Sequence, residues 1–234
     1  MGPKGPTTLC PFPAIIAQFF VCLLSDNTIW PASQRLIFSK RFFMEFLHSL
    51  DEKLFFYVNH GLSNRILDVV MVAISSHWIW LIVLALVGLQ IDFKKRGWKI
   101  ILIAGVAVGL SDLFAFEVLK PYFGRMRPCK VLEGVNIVKS CGGRFGFPSN
   151  HAINSATFAV SMMLWRPHRF MRFLLAFAIL VGFSRVYLGV HYPGDVLFGF
   201  SLGVIWAFTF FKVCRSFAWS HSLLPKKRND PIAS

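Results

Sequence analysis

Between residues 69 and 214 the sequence carries five long apolar runs, at about 69–91 (VVMVAISSHWIWLIVLALVGLQI), 98–119, 151–165, 170–190 and 195–214, parted by short basic gaps. Runs of this length restrict the fold more than any other feature. A span of lipid takes about 20 residues, and a backbone in lipid must satisfy its own hydrogen bonds, which leaves the helix as the form available to such runs. The composition agrees: 55% of residues are hydrophobic and only 15% are charged, too apolar a balance for an ordinary soluble domain. The expected fold class is therefore all-α, a polytopic membrane helix bundle with five transmembrane helices. The run 151–165 is short, so its helix is expected to begin below the bilayer surface, with His151 at the floor of a pocket.

The formal net charge of +14 would point to nucleic acid in a soluble protein. Here the basic residues cluster in the gaps, where membrane-flanking charge is the better reading and nucleic acid is not an expected partner. Lys94, Lys95, Arg96 and Lys99 fill one gap, and Arg166, Arg169 and Arg172 another; Lys212, Arg215, Lys226, Lys227 and Arg228 follow the last run. With five alternating spans these segments share one side, which the excess of Lys and Arg makes cytoplasmic. Segments 120–150 and 184–195 then face the periplasm or the cell exterior of an inner (plasma) membrane. Both are also basic, so their charges need a reason other than topology.

The N-terminal part divides differently. Residues 11–24 (PFPAIIAQFFVCLL) are apolar over only about 14 positions, which leaves a signal-peptide core, an interfacial segment and a sixth span all open. From Met44 onward apolar residues at 46, 47, 50, 54, 55 and 58 predict an interfacial helix. The expected organisation is an extension over 1–43, a membrane domain over 44–215 and a basic cytoplasmic tail over 216–234.

Three polar clusters sit at the outward ends of the runs: KPYFGRMRP with Lys120 and Arg127, FPSNH with Ser149, Asn150 and His151, and SRVYLGVHYPGD with Ser184, Arg185, His191 and Asp195. Each has an ordinary explanation alone. Lysine and arginine at helix ends snorkel to headgroups, and Ser149 or Asp195 can cap a helix. Their conjunction on one membrane face is another matter, because ionisable groups at such depth are expensive and usually functional. Three fixed cations beside a helix N-terminus suit a multiply charged anion, above all phosphate. Two histidines beside that anion suggest a nucleophile and a proton donor, and a carboxylate four residues after His191 can orient its ring. No Cys/His spacing suggests a zinc site.

Taken in order, Lys-x6-Arg-Pro, Pro-Ser-x-His and Ser-Arg-x5-His-x3-Asp resemble the signature of the type 2 phosphatidic acid phosphatases, a superfamily shared with the vanadium haloperoxidases. The resemblance covers about residues 44–215 and departs from the family at Asn150, where glycine is usual. It implies that His191 attacks phosphorus to give a phosphohistidine, that Asp195 holds the His191 ring, and that His151 protonates the leaving oxygen. It further implies that Lys120, Arg127, Arg185, Ser149 and the Asn150 amide hold the phosphoryl oxygens, with no metal or other cofactor. The expected activity is hydrolysis of a lipid phosphomonoester or diphosphate: undecaprenyl diphosphate, phosphatidate, phosphatidylglycerophosphate or lipid A. Two alternatives are a vanadate-dependent haloperoxidase, disfavoured because those of the superfamily are soluble, and a catalytically silent lipid-phosphate binding or transport protein, disfavoured because both histidines are present.

Six further residues have more than one reading. Glu117 is expected to pair with Lys120 three residues on, and Asp112 to pair inside the bundle. Arg125 and Arg144 are looser candidates for headgroup contact. Cys129 and Cys141 flank a loop on the outward side, where a disulfide is permitted, and free thiols are the other reading.

Overall fold

The computed structural model describes residues 32–90, 97–165 and 169–216, with side chains for all of these except 32–42 and 169–171. The 11–24 segment, most of the tail and the charges at Lys94, Lys95, Arg96 and Arg166 lie outside the described residues. The chain divides into two units, Met1–Ser49 and Leu50–Ser234; the packing below concerns the second.

Every regular element among the described residues is helical. Helix α1 is Ala32–Asn59, α2 is Arg65–Ile74, α3 is His77–Gln90 and α4 is Gly97–Phe114. A π turn over Ala115–Leu119 joins α4 to α5, Lys120–Phe123, and the short α6 is Pro128–Val131. Then come α7, Asn150–Trp165; α8, Arg169–Tyr187; and α9, Pro193–Ser216. The interfacial helix expected from Met44 thus starts twelve residues earlier, at Ala32; the weak period of residues 32–43 had hidden it.

Among the described residues two helical stretches are long and apolar enough to cross a membrane, Gly97–Phe123 and Pro193–Ser216. A third crossing forms if α2 and α3 count as one broken span, bent by 61° at their junction. Five helical spans were expected. The first expected run proves to be this bent pair, because Ser75 and Ser76 interrupt the apolar sequence and Asn64 caps α2 by accepting from the Ile66 and Leu67 amides. Helices α7 and α8 coincide with their expected runs but have only 16 and 19 residues.

Helix α7 is the axis of the fold, packed against α4, α8 and α9. Its burial on nearly all faces explains why its sequence lacks a clear amphipathic stripe. Small residues set the α7–α9 distance. A Cβ at Gly203 would lie 2.6 Å from the Ile153 carbonyl oxygen and 2.9 Å from the Ala156 Cβ; at Gly199 it would lie 2.9 Å from the Ser149 carbonyl oxygen. Only glycine permits that approach, the small-xxx-small logic of membrane helix pairs. Away from this seam, Leu102, Val106, Leu110 and Leu113 of α4 and Leu197, Ile205 and Phe208 of α9 are exposed. An apolar exposed band of this kind is what a lipid-facing surface requires.

The polar ends of the helices are tied by a folded loop. Gly124, at φ +59°, closes α5 in the left-handed conformation that glycine adopts without steric penalty. Beyond it Met126 bridges to Phe145, and Cys129 and Cys141 form a disulfide with a Cα–Cα distance of 6.1 Å. The fully buried Asn59 at the end of α1 donates from Nδ2 to the Asn136 and Tyr187 carbonyl oxygens and accepts the Asn136 amide at Oδ1. One amide side chain thereby joins α1, the loop and the end of α8.

Candidate active site

Three local devices deliver the polar side chains to one end of the bundle. The π turn inserts an extra residue before α5 and turns Lys120 inward, leaving it 7% exposed. Glu117 remains exposed and pairs with no described residue, so the expected Glu117–Lys120 ion pair is absent: the π turn breaks the three-residue spacing on which it depended. Pro128 at the first position of α6 fixes the chain as it leaves Arg127. The close approach of α7 and α9 sets the Ser149 amide 3.2 Å from the Asp195 carbonyl oxygen.

His191 occupies the centre, 1% exposed. Its Nδ1 faces Asp195 Oδ2 at 3.4 Å, and the NH1 group of Arg127 lies 3.1 Å from its Nε2. A guanidinium can only donate, so Nε2 presents a lone pair and the ring proton sits on Nδ1, toward Asp195. Burial first, then the neighbouring Arg127, Arg185 and Lys120, hold the His191 pKa well below the ordinary histidine value. A neutral imidazole among three cations, its Nε2 lone pair met by Arg127, can attack an electrophile that displaces that contact and that those cations bind.

Arg127 is itself braced, its Nε donating to the Gly143 carbonyl oxygen at 2.8 Å and NH1 to that of Val190 at 3.2 Å. Arg185 donates from NH1 to Ser75 Oγ at the α2–α3 break. Lys120 makes no hydrogen bond or ion pair with a described residue. Two buried donors, Ser149 Oγ and Arg185 Nε, likewise have no partner among the described residues. Buried polar atoms are nearly always satisfied, and each orphan costs roughly 1–3 kcal/mol, so these two mark a place where a ligand supplies acceptors.

Asp195 is fully buried and held on both oxygens: Oδ1 accepts from Arg125 NH1 at 2.8 Å, and Oδ2 accepts the Tyr192 amide at 3.1 Å. Arg125 forks, its NH2 donating to Asp51 Oδ2 at 2.6 Å while its guanidinium lies over the Tyr192 ring at 4.2 Å. Asp51 Oδ1 in turn accepts the Gly194 amide at 2.7 Å. Arg125, expected to contact headgroups, therefore serves the interior, because two carboxylates within reach of one fork outbid solvent. Asp51 was not anticipated; it stands in the charged triplet Asp51-Glu52-Lys53, where nothing local marks it out. Arg144 remains exposed, lying over Phe145.

His151, in the first turn of α7, lines a cavity of about 540 Å³ together with Trp80, Asp112, Asn150 and Asn154. Asp112 Oδ1 accepts from Asn150 Nδ2 at 2.8 Å and Asn154 Nδ2 at 2.7 Å. The expected pairing of Asp112 inside the bundle is thus with two amides rather than a cation.

A family profile described as the PAP2 superfamily matches residues 97–219. A lipid A 4'-phosphatase of Bacteroides thetaiotaomicron is 32% identical over 197 residues, 80% of this chain and 84% of that protein. An undecaprenyl-diphosphatase of Bacillus subtilis is 31% identical over 155 residues, 65% of this chain and 79% of that protein. Among solved structures, a PAP2-type phosphatidylglycerolphosphate phosphatase of Bacillus subtilis aligns with a TM-score of 0.54 at 25% identity, covering 87% of this chain and 96% of its own.

Proposed function

The chain belongs to the PAP2 superfamily, and from that premise we propose that it dephosphorylates a membrane lipid through a phosphohistidine at His191. It is a membrane lipid phosphatase of the PAP2 type, a phosphoric-ester hydrolase. The observation that carries the mechanism is the contact of the buried His191 Nε2 with Arg127 NH1, together with the buried Ser149 Oγ and Arg185 Nε that have no partner among the described residues.

In this reading a lipid phosphate enters between Arg127 and His191, and its oxygens take up the donors of Lys120, Arg127, Arg185, Ser149 and the Asn150 amide. His191 Nε2 forms a bond to phosphorus as the bond to the leaving oxygen breaks, and His151 delivers the proton that the leaving oxygen needs. Asp195 stabilises the imidazolium character that His191 gains. Water then attacks the phosphohistidine with His151 as base, releasing phosphate and restoring both histidines. Fixed cations aimed at the developing charge do the electrostatic work a metal would otherwise do, so turnover survives EDTA.

The same reading keeps five membrane crossings: the bent α2–α3 pair, Gly97–Phe123, α7, α8 and α9. Of the two that fall short by length or hydropathy, α7 is enclosed by its neighbours, and α8 exposes Phe173 and Ile179 as a lipid-facing helix would. The active site then faces the periplasm or cell exterior of the inner membrane.

The test is His191→Ala in detergent-solubilised protein, assayed for phosphate release from lipid phosphates with EDTA present, alongside trapping of labelled phosphate on the wild-type chain by an alkaline detergent quench. Loss of turnover together with a labelled, acid-labile adduct on the wild type is expected. Full activity of His191→Ala, or a strict requirement for added divalent metal, overturns the mechanism.

A further inference from the structure

The cavity of about 540 Å³ bears on the choice of substrate. Its lining includes His151 but not His191, Lys120 or Arg127. In an in-line displacement the attacking and leaving groups lie on opposite sides of phosphorus. If His191 attacks and His151 protonates the leaving oxygen, the space on the His151 side receives the leaving group. Its size is that of an ordinary small-molecule site, and most of its wall is apolar, with Trp80, Leu84, Ile101 and Phe158 among the lining residues.

One carboxylate interrupts that wall. Asp112 lies within the membrane-crossing stretch Gly97–Phe123, where an ionisable residue is costly and is a functional candidate by default. Two amides, from Asn150 and Asn154, converge on its Oδ1. They lie four residues apart on α7, so one helix face presents both donors to the same atom. The second oxygen of Asp112 has no hydrogen-bond partner among the described residues and is not enclosed. Asn150 stands at the one position where the sequence departs from its family's usual glycine, and that departure supplies one of the two donors.

Resting on the phosphatase reading above, we propose that Asp112, held by Asn150 and Asn154, is a specificity-determining acceptor for the leaving group. It selects lipid phosphates whose leaving group carries a hydrogen-bond donor near the scissile oxygen. The class this favours is a phosphomonoester on an acylated sugar or another hydroxyl-bearing headgroup. A hydroxyl donating to a carboxylate makes a charge-assisted bond, whereas a leaving group without donors leaves the acid unsatisfied in an apolar wall. A diphosphate is disfavoured more strongly, since its leaving group is itself a phosphate anion placed against a carboxylate.

The experiment compares kcat/KM for an acylated sugar phosphate with the neighbouring hydroxyl free, for its methyl ether at that hydroxyl, and for undecaprenyl diphosphate. The wild type is expected to favour the free hydroxyl over the methyl ether at least ten-fold. Asp112→Ala should bring that ratio near one and raise the relative rate on the diphosphate. Asn154→Ala, which keeps the carboxylate but removes one of its donors, should give a ratio between the two. The wild-type ratio is informative even if Asp112→Ala does not fold. A wild-type ratio near one, or a ratio unchanged in Asp112→Ala, overturns the inference while leaving the phosphatase reading intact. Absence of phosphate release from every lipid phosphate tested overturns that reading as well.

Discussion

His191 is enclosed and neutral among cations, and that state has a measurable pH signature. Its pKa lies well below 6.5 in the folded protein and returns to about that value on unfolding. Below pH 6.5 the unfolded chain therefore binds the proton that the folded one refuses, and stability falls as the pH falls. Thermal unfolding between pH 7 and pH 5 should show this loss, and His191→Gln should lessen it; an unchanged slope would contradict a buried neutral ring. The Asp195 anchor gives a second expectation. Arg125→Lys keeps the charge but loses the fork that grips two carboxylates at once. It should lower kcat on the order of ten- to hundred-fold with little change in KM, the pattern of a misaligned rather than an unbound substrate. Asp51→Asn should move kcat the same way by less. At this scale the sequence was half legible. Lys120, Arg127, Ser149, His151, Arg185, His191 and Asp195 announce themselves because each cluster is local in the chain. Asp51 does not, since its partners Arg125 and Gly194 are 74 and 143 positions away.

Helix α7 depends on glycines that its own sequence does not contain. At Gly203 even one added carbon meets the Ile153 carbonyl oxygen at 2.6 Å, so a side chain there must push α7 and α9 apart. Gly203→Leu should destabilise by about 1–3 kcal/mol, as overpacking typically does. Because the same seam carries Ser149 and Asp195, activity should fall further than unfolding temperature predicts; Gly109→Leu, where an added Cβ meets nothing within 4 Å, is the matched control. Normal activity in Gly203→Leu would show that the seam does not position the site. The element-scale surprises have one root, which is that hydropathy reads composition and not backbone phase. The π turn at Ala115–Leu119 defeated the Glu117–Lys120 pairing, and the Ser75–Ser76 break bent what looked like one continuous run. Where composition suffices, as for Gly97–Phe123 and Pro193–Ser216, helix and run agree within a few residues.

Across the described residues of the second unit, the end that carries the polar clusters is cross-braced while the remainder is helix packed on helix. That division made the helical class readable from hydropathy, and the candidate site from three short motifs. The arrangement of α1 was not readable, because Asn59 ties it to Asn136 and Tyr187 through contacts 77 and 128 positions apart. Orientation is open to a direct check with single cysteines in a background that leaves Cys129 and Cys141 intact. Positions 95 and 168 should resist a membrane-impermeant thiol reagent in intact cells, and position 135 should react. The opposite pattern would place the site in the cytoplasm and redirect the search to substrates made there.

The two orphaned donors, Ser149 Oγ and Arg185 Nε, carry a practical consequence for anyone handling the protein. A ligand that binds only the folded state adds RT ln(1 + [L]/Kd) to stability, about 2.7 kcal/mol at a hundred times Kd. Inorganic phosphate and its tetrahedral analogues offer those donors the acceptor oxygens they lack, so a phosphate buffer should at once protect the enzyme and inhibit it. A melting temperature that rises with phosphate but not with chloride at equal ionic strength would be the first sign, and a preparation stored that way would look stable and nearly inactive until exchanged.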